Sequence, residues 1–133
     1  MMKFVTLLAS AALIAAPAAA QPMYSGGNRP VMLSTNDGLD PCSMTKIADQ
    51  GPEGAVSVYS GDSTELDAFD NLSGGQRIWV CDAGDDGDMV GIVYNQNDGK
   101  DCEVSSPVDE DREYIGPCDR GWIKADAVEV VAG

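Results

Sequence analysis

The sequence contains no histidine, and only eight lysine and arginine residues stand against 22 aspartate and glutamate residues. Because Ser-His and Cys-His mechanisms need an imidazole base, the absence of histidine excludes them. Pairs of carboxylates are best interpreted as solvated surface charge, since so many acidic residues meet by chance. We therefore expect no enzymatic activity and no cofactor.

The first 20 residues are predicted to be a cleavable secretory signal peptide. A basic start at Lys3 is followed by an apolar run over residues 4–16, by Pro17 and by the small residues Ala18-Ala19-Ala20. This run is shorter than the roughly 18 apolar residues that span a bilayer. We expect cleavage near Ala20, no membrane insertion, and a periplasmic or secreted protein.

Removal of the signal peptide makes the chain more acidic. Without Lys3, seven basic residues remain against 22 acidic ones, which is a net charge of −15. Such a charge keeps a protein in solution but destabilises its compact state by self-repulsion. Binding to nucleic acid is not expected, because it depends on Lys and Arg neutralising phosphates.

Cysteines are expected to offset this repulsion. The mature chain has four of them, and in an oxidising compartment an even set indicates disulfides. A zinc site is the alternative, but the sequence has neither a C-x-x-C motif nor histidine. Four cysteines allow three pairings, among which the sequence does not choose. We favour Cys42–Cys81 and Cys102–Cys118.

Residues 21–39 are predicted to be a flexible linker, because turn-forming residues dominate them. An edge strand over Val31 to Leu33 is the alternative that this segment leaves open. The domain is expected to span residues 40–133. No internal repeat is visible.

From Ala55 onward the pattern predicts short β-strands separated by turns. Alternation is clear over 55–59, 76–82 and 88–94, and further strands are expected at 121–123 and 128–131. Residues 76–82 carry apolar side chains on both faces, which indicates that both faces are covered. Residues 66–72 belong to this β pattern, but the spacing of Leu66, Phe69 and Leu72 also suits a long irregular loop that folds back on the sheet.

The acidic run from Asp82 to Asp88 is predicted to be a hairpin turn. It departs from an EF-hand loop at Gly84 and Val93, where calcium ligands are required. We expect no dedicated metal site, with weak calcium binding at millimolar levels as the alternative.

Ordered motifs resemble those of a known family. They are Asp40-Pro41-Cys42, Trp79-Val80-Cys81-Asp82, the run CEVSSP at 102–107 and the run GPCDRGW at 116–122. With the segments 56–63 and 72–78, the set resembles small exported SH3-like (SH3b) proteins of alphaproteobacteria. The resemblance covers about residues 54–131, with an insertion at 98–120. It implies a small SH3-like β-barrel that binds a peptide or cell-wall component.

The same resemblance supplies candidate ligand-binding residues. By position, Tyr59, Met89, Tyr94 and Trp122 lie on or near the sheet under the long loop. Met89 replaces an aromatic residue of the family with a soft apolar surface that suits an extended peptide. Core packing is the alternative for Tyr94 and Trp122, whereas Tyr59 ends its strand beside a glycine turn.

The acidic charge limits the partner. We expect a non-catalytic binding module for a neutral or basic peptide or protein segment, which could belong to the cell envelope. The alternative is an envelope structural or stress-related accessory protein that has no discrete ligand groove.

Overall fold

The computed structural model describes residues 29–96 and 99–129, so the predicted signal peptide and residues 21–28 lie outside the described part. The described residues form an all-β chain, as the sequence predicts. Its elements are β1 (Met32–Leu33), β2 (Ser43–Lys46), β3 (Ala55–Tyr59), β4 (Ala68–Ser73), β5 (Arg77–Ala83), β6 (Met89–Tyr94), β7 (Arg112–Glu113), β8 (Asp119–Lys124) and a 3-10 helix at Ala125–Ala127.

Six strands form one antiparallel sheet, in the order β2-β5-β6-β8-β3-β4, while β1 and β7 pair separately. The hairpin between β5 and β6 turns at residues 84–88, where Gly84 N donates to Met89 O at 2.9 Å. This is the hairpin that the acidic run predicts. In the described ranges, no helix has the length and apolar character that crossing a membrane requires.

One face of the sheet carries the inner cluster of buried side chains. Residues two apart on a strand share a face, so β5 directs Ile78 and β6 directs Ile92 to the same side. Except for Ile47 and Ala127, the members of this cluster lie on strands of the six-stranded sheet. They are Ile47, Val56, Val58, Leu72, Ile78, Ile92, Tyr94, Ile123 and Ala127.

The sheet curls around this inner cluster. Tyr94 on β6 donates its hydroxyl hydrogen bond to Asp70 Oδ2 at 2.7 Å, although two strands separate β6 from β4 in the sheet. A flat sheet would hold these strands about 14 Å apart, at roughly 4.8 Å per step. Curvature therefore brings the inner-face side chains of distant strands together.

The opposite face carries a second, outer cluster. Alternation along β5 directs Trp79 and Cys81 to this side, which is the covered second face that the sequence predicts. Its buried members are Val31, Leu33, Cys42, Cys81, Met89, Val93, Cys102, Val104, Val108, Tyr114, Cys118 and Trp122. Segments outside the large sheet supply most of them.

The N-terminal segment contributes directly to this outer cluster. Val31 and Leu33 are buried, and Met32–Leu33 pair with β7 as the edge strand that the sequence left open. The expectation of a linker over residues 21–39 is therefore corrected for this part. Gly91 allows the approach, because a Cβ at this position would lie 3.2 Å from Val31 and 3.3 Å from Trp122.

Both favoured disulfide pairings are confirmed. Cys42–Cys81 joins the segment before β2 to β5, and Cys102–Cys118 closes the insertion. Within the insertion, the buried Tyr114 hydroxyl donates to Cys102 O at 2.8 Å and accepts from Cys118 N at 3.1 Å. One tyrosine thus cross-links the same two residues that the sulfur bridge joins.

Residues 66–72, for which the sequence left both a strand and an irregular loop open, form a strand for most of their length. β4 pairs with β3, but Val58 faces Asp70 while Tyr59 faces Ala68, so Phe69 has no partner across the ladder. Such a β-bulge breaks the two-residue alternation that identifies a strand. This is the physical reason why the sequence pattern did not decide between a strand and a loop here.

Candidate functional site

The candidate residues from the sequence do not form one exposed groove. Met89 and Trp122 are buried in the outer cluster, and Tyr94 is buried in the inner cluster on the other face of the sheet. A side chain without accessible surface cannot contact a ligand. The expectation that these three line a binding site is therefore corrected: they pack the core.

Tyr59 is the one candidate that keeps accessible surface. It packs against the outer cluster, faces Trp122 across the ladder, and lines an open cavity of about 440 Å³ beside Lys124 and Asp126. This partial exposure agrees with its position at the end of β3.

Tyr94 belongs to a polar network that ends on β4. Asp70 accepts from the Tyr94 hydroxyl and from Gln96 Nε2, the latter at 3.0 Å. Burial raises the pKa of Asp70, but the hydrogen bonds lower it more, so the net pKa lies below its usual value. Burial first, and then Asp70, raise the pKa of Tyr94. Neither group is suited to proton transfer near neutral pH.

The same network protects an edge of the sheet. β4 is an edge strand, and side chains bond to its main chain: Gln96 Nε2 to Asn71 O at 3.0 Å, and Ser73 N to Gln76 Oε1 at 3.4 Å. Exposed strand edges invite pairing with other chains. The C-terminal half of β4 is thereby partly closed to an added strand.

Arg29 anchors the N-terminal segment to the sheet. Its guanidinium group lies 5.0 Å from the centre of the Trp122 ring and forms ion pairs with Asp62 and Asp85. Its carbonyl accepts from Trp122 Nε1 at 2.9 Å, and its amide donates to Ser60 O at 2.8 Å. The charge of Arg29 is therefore neutralised locally.

Beside this anchor lies an open cavity of about 600 Å³, which we call the Phe69 groove. Its walls include Arg29, Pro30, Ser60, Phe69, Arg120 and Gly121. Phe69 is 55% exposed, which makes it one of four large hydrophobic residues that are exposed in the described part of the chain. The cavity volume falls in the range of ligand sites in proteins.

Gly121 positions the aromatic ring of Phe69. A Cβ at Gly121 would collide with Val58 and would lie 2.9 Å from the tip of the Phe69 ring. The ring therefore rests on the main chain of β8. Glycine at this position lets an aromatic side chain lie against the sheet while most of its surface stays exposed.

The acidic hairpin residues have structural partners. Asp85 pairs with Arg29, Asp82 Oδ2 accepts from Met32 N at 3.0 Å, and Asp86 Oδ1 accepts from Asp88 N at 3.1 Å. Over residues 29–96 and 99–129, no group of three or more His, Cys, Asp or Glu side chains is arranged to hold a metal ion.

Sequence reasoning missed the exposure of Phe69. The available signal was its setting in Asp67-Ala68-Phe69-Asp70-Asn71, where one aromatic residue stands between acidic and polar neighbours. That setting is unusual for a core position. The bulge, which cannot be read from the sequence, decides which way this residue faces.

Fold and groove together define a class: an acidic, all-β domain with two disulfides and one exposed aromatic side chain in an open groove. Comparison of the chain with protein-family models, with curated proteins and with solved structures found no match. The assignment to the SH3-like family stays a prediction from the sequence motifs.

Proposed function

We propose that this protein is an exported, non-catalytic binding module that holds a neutral or basic protein segment in the Phe69 groove. The observation that carries the proposal is the 55% exposure of Phe69 against Gly121, at the wall of a groove of about 600 Å³. Aromatic side chains are frequent anchors of protein interfaces.

The charge of the chain supports this choice of partner. A mature chain with seven basic and 22 acidic residues attracts a basic segment and repels an acidic one. Inside the groove, Glu113 and Asp119 supply negative charge beside Arg120, while Arg29 is neutralised by Asp62 and Asp85. A segment with an apolar side chain for Phe69 and a flanking basic residue fits this arrangement.

A non-catalytic role is supported by the ionisable groups in the sheet. Catalytic proton transfer is most efficient when the pKa of the group lies near the operating pH. The pKa of Asp70 is lowered and that of Tyr94 is raised, so each moves away from neutrality. Both groups also form hydrogen bonds in the network on β4, where Asp70 accepts from Tyr94 and from Gln96.

The test is selection of displayed peptides by the oxidised protein, followed by affinity measurement on variants. We expect enrichment of peptides that combine an apolar residue with Lys or Arg. Phe69→Ala should weaken their binding at least tenfold, as loss of an interface anchor does. The matched control is Ile115→Ala, because Ile115 is also exposed but does not line the groove.

Equal binding by Phe69→Ala and the parent protein would contradict the groove assignment. Failure to enrich any peptide would favour the alternative from the sequence, an envelope accessory protein that acts through its acidic surface.

A further inference from the structure

A second surface, independent of the Phe69 groove, lies where β2 meets β5. The register sets Lys46 directly opposite Arg77, and Met44 directly opposite Trp79. Residues two apart on a strand share a face, so all four side chains lie on one side of the sheet. We call this surface the cationic face.

Fold stability does not explain the pairing of Lys46 with Arg77. Like charges directly opposite each other in an antiparallel pair are destabilising. Across residues 29–96 and 99–129, Arg77 has no ion pair, although acidic residues outnumber basic ones almost threefold in the chain. Lys46 reaches Glu129 at 3.5 Å, and both of these side chains are substantially exposed. A cation without a partner in so acidic a protein is available for a ligand.

A third basic residue lies next to this pair. Arg77, Trp79 and Lys100 line one cavity of about 290 Å³, which adjoins the larger cavity beside Met44 and Lys46. Within the described ranges, Lys100 Nζ donates to Pro117 O alone, at 3.4 Å. Among the described residues, Asp101 is the one acidic residue on this smaller cavity. Three of the seven basic residues of the mature chain therefore surround two neighbouring cavities.

The lining of the larger cavity indicates the chemistry of the ligand. Its volume is about 890 Å³, and its walls carry hydroxyl and amide side chains from Ser73, Gln76, Asn95 and Gln96. Pockets for apolar ligands are lined mainly by hydrophobic side chains. Gln76 donates to Gln96 at 3.0 Å, and Gln96 donates to Asp70 and to Asn71 O. Within the described residues, one N–H of Gln76 and the hydroxyl of Ser73 remain for a ligand, and these groups suit one that carries hydroxyl groups.

The apolar pair on this face adds a platform. Met44 is 62% exposed and faces Trp79, whose indole ring is half-buried against the outer cluster. A flat aromatic surface beside polar groups stacks against the C–H face of a sugar ring. A platform, hydroxyl and amide groups, and cations within one surface together match an acidic saccharide.

We propose that the cationic face binds a saccharide that carries carboxylate groups. Arg77 and Lys46 pair with the carboxylates, and Arg77 can do so through two parallel hydrogen bonds. Trp79 and Met44 contact the sugar rings, and the amide and hydroxyl side chains bind the sugar hydroxyls. The chain as a whole repels acidic ligands, and two acidic residues lie at this face: Glu129 pairs with Lys46 at 3.5 Å, and Asp101 lines the smaller cavity. A ligand carboxylate therefore binds first at Arg77, while acidic residues more than about 8 Å away are largely screened at physiological salt.

The experiment measures binding of oligogalacturonate to the oxidised, exported protein by calorimetry at physiological salt. A neutral malto-oligosaccharide of equal length and a short poly-glutamate chain are the comparison probes. We expect binding of oligogalacturonate, with at least tenfold weaker binding of both other probes. Arg77→Glu should weaken oligogalacturonate binding at least tenfold, and Arg77→Lys should lose less than Arg77→Glu.

Lys124→Glu is the matched control, because it makes the same change of charge at an exposed residue away from this face. Phe69→Ala separates this site from the groove. Both variants should bind oligogalacturonate like the parent protein. Equal losses in Lys124→Glu and Arg77→Glu would mean that only net charge matters, and would overturn the site. No binding of oligogalacturonate, or equal binding of poly-glutamate, would overturn the saccharide assignment.

Discussion

The inner and outer clusters lie on opposite faces of the same sheet but are built by different means. The inner cluster takes its side chains mainly from the strands of the large sheet, with no disulfide among them. The outer cluster depends on short or irregular segments and contains all four cysteines. Where ladder hydrogen bonds are few, covalent links and single anchoring residues replace them.

The largest expected effect on stability is that of losing the Cys42–Cys81 disulfide, which joins the segment before β2 to β5. Replacing Cys42 and Cys81 by alanine should cost about 4 kcal/mol, because the bridge closes a long stretch of the unfolded chain. The Cys102–Cys118 bridge closes a shorter loop, so replacing both of its cysteines by alanine should cost about 3 kcal/mol. Denaturant unfolding under oxidising conditions measures both values.

Hydrogen exchange on the same variants sharpens the comparison. Protection of backbone amides from exchange should fall first in the segments that cover the outer cluster. It should fall last in β6 and β8, at the centre of the sheet. Uniform loss of protection throughout the described residues would show that the two clusters unfold as one unit.

An intermediate effect is expected from the inner-face network. Tyr94→Phe removes the donor to Asp70 and should cost about 1–2 kcal/mol, since hydrogen bonds to charged groups are the stronger ones. Urea titration of Tyr94→Phe against the parent protein measures this cost. Tyr59→Phe serves as a control for loss of a tyrosine hydroxyl, because the Tyr59 hydroxyl has no hydrogen-bond partner within the described residues.

The pH dependence of this network has a definite sign. The lowered pKa of Asp70 stabilises the fold above the unfolded value of about 3.9, and this contribution is lost as the pH falls through the lower folded value. The raised pKa of Tyr94 stabilises the fold below about pH 10, and this contribution is lost as the pH rises beyond it. Tyr94→Phe should therefore flatten the alkaline limb of the stability profile. If Tyr94→Phe left the alkaline limb of the stability profile unchanged, the hydrogen bond between Tyr94 and Asp70 would be contradicted.

The smallest effect should come from Arg29, which anchors the N-terminal segment to the outer cluster. Arg29→Met keeps apolar contact with Trp122 but removes the ion pairs, and should cost about 1 kcal/mol. The difference in free energy of unfolding between the parent protein and Arg29→Met should shrink at high salt, because salt screens the exposed charge pairs of the parent protein. A salt-independent difference between the two proteins would argue against the ion pairs.

Much of the fold could be predicted from the sequence because it depends on local alternation. The pattern over β5 predicts which residues face each cluster, and the turns at Ser60–Gly61 and Gly84–Gly87 mark strand ends. The disulfide pairing was favoured correctly, since Cys102 and Cys118 are close in sequence and Cys42 needed a distant partner.

Less of the candidate site could be predicted. Met89 and Trp122 were expected near a ligand, but their exposure depends on whether Val31, Leu33 and the insertion cover them. The segment of Phe69 was left open between a strand and a loop, because the bulge in the ladder with β3 interrupts the alternation of its strand. The opposition of Lys46 and Arg77 depends on a pairing register between segments 31 residues apart, which no local pattern reports.

By itself the sequence determined the all-β class, the acidic charge, the exclusion of histidine-based catalysis and the alternation that gives the sheet two buried faces. These properties follow from composition and from the two-residue period of a strand. Only the tertiary structure decided that Phe69 lies exposed on Gly121, that Tyr94 reaches Asp70 across the curled sheet, and that Lys46 faces Arg77. Each of these contacts joins segments far apart in the chain, so it depends on strand register, bulges and curvature.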